Sequence, residues 1–65
     1  MTVFNGSKLN RARHMRRLTI EELAFISEIK EVTLIEYEKG LKKITEQDSI
    51  ILSGFLVCNP EWLRG

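Results

Sequence analysis

Residues 18–40 read Leu-Thr-Ile-Glu-Glu-Leu-Ala-Phe-Ile-Ser-Glu-Ile-Lys-Glu-Val-Thr-Leu-Ile-Glu-Tyr-Glu-Lys-Gly. The run Thr19-Ile20-Glu21-Glu22 has the form of a capping box: the Thr19 hydroxyl meets the Glu22 amide and the Glu22 carboxylate reaches back. Leu18 and Leu23 fall at the two positions of a hydrophobic staple, and Leu23, Ala24 and Ile26 are expected to face a core. A break follows near Ser27-Glu28-Ile29. The next helix runs from about Lys30 to Lys39 and stops at Gly40, as helices do when glycine follows the C-cap. Two helices joined by so tight a turn read as a helix-turn-helix over about residues 19–39.

Outward from this pair, Ser7 is placed to cap a first helix ending near Arg16, with Leu9, Ala12 and Arg13 on one face. Thr45 is placed to cap a fourth helix, about Glu46 to Leu56, expected to bury Ile50 or Ile51 together with Leu52, Phe55 and Leu56. Asn59-Pro60 is a cap followed by proline at the first helical position, opening a short fifth helix with Trp62 and Leu63. The expected fold is all-α: one compact five-helix domain spanning residues 1–65. A chain this short buries only about 60% of its unfolded surface, so it needs an efficient core, a partner or a staple.

Cys58 and His14 are single, so neither an internal disulfide nor a protein-only zinc site can be assembled, and no cofactor is expected. With no nucleophile motif, phosphate loop or metal spacing, the chain does not read as an enzyme. The sequence has no apolar run near the ~20 residues of a membrane span, and its first residues lack the pattern of a signal peptide. A soluble protein of the reducing cytoplasm is the expectation. Charge is segregated along the chain: residues 1–18 carry +5, residues 19–38 carry −5 and residues 39–65 carry +1. The basic cluster Arg11, Arg13, His14, Arg16 and Arg17 has three readings. It is a solvated helix face, a fringe of phosphate contacts, or the complement of an acidic face on a second copy.

The same stretch resembles the Cro and phage-repressor family of helix-turn-helix domains, also called the xenobiotic-response-element type. Leu18, Thr19, Glu21, Glu22, Leu23 and Ala24 match one part of its pattern, and Tyr37, Glu38, Lys39 and Gly40 match a second. The ending Asn59-Pro60-Glu61-Trp62-Leu63-Arg64-Gly65 resembles the family's closing short helix, so the likeness spans about residues 7–65. The resemblance implies a small residue at Ala24, where the recognition helix crosses closely. It also implies a buried ion pair between Arg13 and Glu38, whose one-sided loss would cost ~3–5 kcal/mol.

The resemblance implies duplex DNA as partner, with the second helix resting on the phosphate backbone and the third in the major groove. Lys30, Glu31, Val32, Thr33 and Glu36 then face bases or nearby phosphates, and Lys39, Lys42 and Lys43 grip the backbone. Thr33 can donate to a base or phosphate, Val32 can meet a thymine methyl, and glutamate can accept from cytosine. Several positions depart from the pattern. Ile20 stands for the usual glutamine, Glu28 for a turn glycine, Lys30 for a capping hydroxyl, and Arg17 for a common glycine. Phe25 and Ile35 replace polar residues.

The leading expectation is a sequence-specific DNA-binding transcriptional regulator of the phage or mobile-element repressor type, acting as a homodimer. Its two recognition helices would lie ~34 Å apart on a palindromic site. The chain reads either as complete or as the start of a longer regulator, the opening Val3-Phe4-Asn5-Gly6-Ser7-Lys8-Leu9 being the cue for the latter. The alternative is a protein-interaction module, anti-repressor or antitoxin-like, using an acidic and apolar recognition-helix face. The candidate protein-interface residues are Ile20, Phe25, Ile35, Trp62 and Leu63.

Overall fold

The structure is a computed structural model and describes residues 6–64. The opening residues 3–5 of the regulator-like start and Gly65 of the closing motif lie outside the described residues. Five helices follow one another: α1 (Ser7–Met15), α2 (Ile20–Ser27), α3 (Glu31–Glu38), α4 (Glu46–Leu56) and α5 (Pro60–Arg64). No strand occurs among the described residues.

The helix starts follow from their caps. Thr19 Oγ1 accepts from the Glu22 amide at 3.0 Å while Glu22 Oε1 accepts from the Thr19 amide at 2.9 Å, closing the expected box. Thr45 Oγ1 accepts from the Asp48 amide, and Asn59 Oδ1 accepts from the Glu61 amide. The first helix departs from expectation. Gly6, not Ser7, is its N-cap. The reason is a close approach: a β-carbon at Gly6 would lie 2.0 Å from the Tyr37 carbonyl oxygen, so the entry to α1 meets the end of α3 through bare backbone.

The core gathers Leu9 and Ala12 from α1, Leu23 from α2, Leu34 and Tyr37 from α3, Leu52 and Leu56 from α4, Leu63 from α5, and Ile29 and Ile44 from the connections. α2 packs on α3, α1 on α3 and α5, and α4 on α5 and α2. Ile26 and Phe55, expected in the core, are exposed. Serines take the inward positions instead: Ser27, Ser49 and Ser53 are buried, with hydroxyls donating to the carbonyls of Leu23, Glu46 and Ile50. A small side chain lets helices approach closely, and a satisfied hydroxyl carries little burial penalty.

Candidate nucleic-acid interface

α3 is eight residues long and is anchored by one face. Leu34 and Tyr37 are buried, and the helix turns Glu31, Val32 and Ile35 to solvent, with Thr33 and Glu36 half-buried. Lys30 is the extended N-cap, its side chain making no cap hydrogen bond. Its ammonium is exposed beside the helix N-terminus. The turn before it rests on Glu28, which adopts φ 61°, the left-handed conformation in which a β-carbon is costly.

Three contacts fix the far end of α3. The first is charged. Arg13 Nε lies 2.7 Å from Glu38 Oε2, Arg13 Nη2 donates to Glu38 Oε1 at 3.1 Å, and Arg13 Nη1 donates to the Leu18 carbonyl at 2.8 Å. Asn10 Nδ2 adds a fourth bond, to Glu38 Oε1 at 2.7 Å. Both charged side chains are about a tenth exposed, at 11% and 10%, so the pair is largely desolvated and its bidentate geometry matters. The knot ties α1, the entry to α2 and the end of α3 together.

The second contact is the helix stop. Gly40 adopts φ 74°; its amide donates to the Tyr37 carbonyl and the Leu41 amide donates to the Glu36 carbonyl, the paired bonds of a Schellman motif. The third is Tyr37, whose hydroxyl donates to Asp48 Oδ2 at 2.5 Å on the first turn of α4. Burial, then the hydrogen bond to Asp48, pushes the Tyr37 phenol above its ordinary pKa. The loop between α3 and α4 is therefore held at both ends: by Gly40 at one, and by buried Ile44 and capping Thr45 at the other. Lys42 and Lys43 project from it, and Lys39 stands at the C-cap of α3; all three are exposed.

Charge on this face is settled by which groups are already paired. Glu38 is engaged by Arg13. That leaves exposed Lys30, Lys39, Lys42 and Lys43 against Glu31 and Glu36 within residues 30–43, a positive balance for that segment, with exposed Glu28 and Glu46 just outside it. The proposed DNA residues thus lie on one helix and its flanking loop.

The candidate protein-interface residues do not stay together. Leu63 is 0% exposed in the core and is unavailable to a partner, because α5 turns it inward against the rest of the bundle. Ile20 is half-buried against the core, and so is Trp62, with Lys8 Nζ 5.6 Å above its ring. Phe25 and Ile35 are exposed. His14 is exposed, its Nδ1 2.8 Å from the Asn10 carbonyl oxygen. Burial raises the pKa of the Cys58 thiol, with the nearby Arg16 charge opposing the rise. Among the described residues no cluster of His, Cys, Asp or Glu is placed to hold a metal ion, and no helix is long and apolar enough to cross a membrane. Sequence reasoning missed Asn10 and the Tyr37–Asp48 bond. Asp48 had one signal, an acid on a helix's first turn, but nothing tied it to a residue eleven positions away.

No protein-family model matches the chain, and no curated protein matches it. Its structure is similar to the crystal structure of the restriction-modification controller protein C.AhdI from Aeromonas hydrophila. The TM-score is 0.81 at 26% identity, over 89% of this chain and 88% of that one. The chain has the all-α architecture of a helix-turn-helix regulator.

Proposed function

We propose that the protein is a sequence-specific duplex DNA-binding transcriptional regulator of the cytoplasm, of the repressor type that phages and mobile elements carry. It acts as a pair of like subunits, with α3 as the reading helix. The observation that carries this is the anchored α3 flanked by exposed lysines, Lys30 at its start and Lys39, Lys42 and Lys43 at and after its end. Lys30, Lys39, Lys42 and Lys43 neutralise phosphates, which supplies affinity, and Val32, Thr33, Glu31 and Glu36 meet base edges, which supplies discrimination. Likeness to a controller protein supports regulation rather than catalysis.

Selection of bound fragments from a random duplex pool tests the reading. Enrichment of one motif, with Thr33→Ala relaxing one position of it, is the expected result. A pool that stays random after repeated rounds contradicts it. Exposed Ile35 on α3 favours the second reading, a protein partner on this same helix. Under that reading the pool stays random, and Ile35→Asp abolishes capture of the partner.

A further inference from the structure

Helix α4 turns its more apolar side outward. Its inward face is half serine: Ser49 and Ser53 are buried beside Leu52 and Leu56. On the outward face Ile50 is 56% exposed and Phe55 45%, with half-buried Ile51 between them. A helix that is hydrophobic all round is ordinarily covered all round. The rest of the described chain leaves this face open.

Gly54 stands in the middle of that face. It is exposed, it belongs to regular helix, and a β-carbon built on it would meet nothing within 4 Å. Glycine weakens a helix interior. Gly6 and Gly40 are accounted for by a close approach and a left-handed turn, but no contact within the chain accounts for Gly54. What it leaves is a notch beside Phe55, its neighbour in sequence. A notch and a knob side by side on one helix are self-complementary: about a two-fold axis, each Phe55 can enter the other copy's notch.

Charge permits the same meeting. Residues 49–60 are twelve consecutive positions without Asp, Glu, Lys or Arg, the longest such run in the chain. An uncharged face can lie against its own copy without setting like against like. Arg16 borders the end of α4, donating from Nε to the Leu56 carbonyl at 3.3 Å, and with Arg11 it lines the groove next to Val57. Both arginines are exposed, so in a pair centred on Gly54 they fall at the wet rim.

We propose that two copies of this chain join through the outward face of α4, crossing at Gly54 about a two-fold axis. The proposal rests on the reading of the protein as a pair of like subunits and gives that pair its surface. No residue assigned to DNA lies within 49–60, so each copy keeps α3 for the duplex.

Sedimentation equilibrium of the whole chain without DNA tests this. The wild-type mass should rise with concentration to that of two chains and stop there. Gly54→Gln fills the notch with a good helix former, so it should melt higher as a single chain at low concentration. The same variant should pair about tenfold more weakly. A role confined to the single chain would not move the two quantities in opposite directions. Phe55→Ser should also lose the pair, with its helical circular dichroism unchanged. Phe25→Ser, at the exposed aromatic of α2, should pair as the wild type does. A wild type that stays a single chain overturns the proposal, as does Gly54→Gln pairing undiminished, a mass that climbs past two chains, or a pair that Phe25→Ser abolishes. A protein that pairs in the expected way yet enriches no duplex motif keeps this surface and loses the DNA reading. Motif enrichment by a pair indifferent to Gly54→Gln does the reverse.

Discussion

Glu38 sits at the junction of three helical segments, accepting from Arg13 twice and from Asn10 once. Removing it strands a guanidinium that is mostly out of water. Glu38→Ala should therefore cost ~3–5 kcal/mol. A small domain holds only about 5–15 kcal/mol in all, so the variant should be largely unfolded or melt far below the wild type in a thermal scan; a Tm within a few degrees of the wild type contradicts this weight for the knot. Glu28 gives the reverse case. Its left-handed backbone carries a β-carbon cost, and its charge sits at the negative end of α2. Glu28→Gly should gain ~1 kcal/mol after glycine's extra chain entropy is counted, read as a higher urea midpoint at unchanged slope. Both residues were legible in the sequence, Arg13–Glu38 from a resemblance and Glu28 as a misfit in a turn. Asn10 was not, because an asparagine on a helix surface has no pattern that names a partner 28 residues away.

Helix ends were the most readable elements. Capping is local chemistry, and Thr19, Thr45 and Asn59 announce themselves within four residues. Thr19→Ala should cost ~1 kcal/mol by losing one half of the α2 box, measured by urea denaturation. The start of α1 was misread because its cap is decided by the α3 backbone passing against Gly6, a contact made only in the folded chain. The inward faces of α2 and α4 were misread in part because serine does not count as a core residue, yet here its hydroxyl bonds back to its own helix. Tyr37 binds α3 to α4, and its raised pKa makes that link sensitive to alkali. The folded state holds the phenolic proton more tightly than the unfolded chain. Its stabilising effect is whole below the ordinary phenol range and is lost as pH rises through the raised value. Thermal melts should thus fall more steeply above about pH 10 for the wild type than for Tyr37→Phe. Parallel pH profiles for the two contradict the assignment.

Across the whole molecule, charge segregation in the sequence becomes separation in space. Arg11 and Arg16 line a groove where α1 meets the α4–α5 junction, α2 carries exposed Glu21 and Glu22, and residues 30–43 keep a modest positive balance. The sequence showed these blocks but not their destinations. Which glutamate is neutralised and which lysine is free depends on packing: Glu38 is spent on Arg13, while Lys42 and Lys43 ride a loop pinned at both ends. The central claim is that these lysines, with Lys30 and Lys39, hold α3 against a duplex. Affinity for duplex DNA as a function of salt tests it most directly. With four phosphate contacts, log affinity should fall against log salt with a slope of about −3 to −4. Lys42→Glu with Lys43→Glu should weaken binding and shallow the slope by about 2, with the fold intact. No binding at about 50 mM salt, where phosphate contacts are strong, or a double variant that binds as the wild type does, would contradict the account.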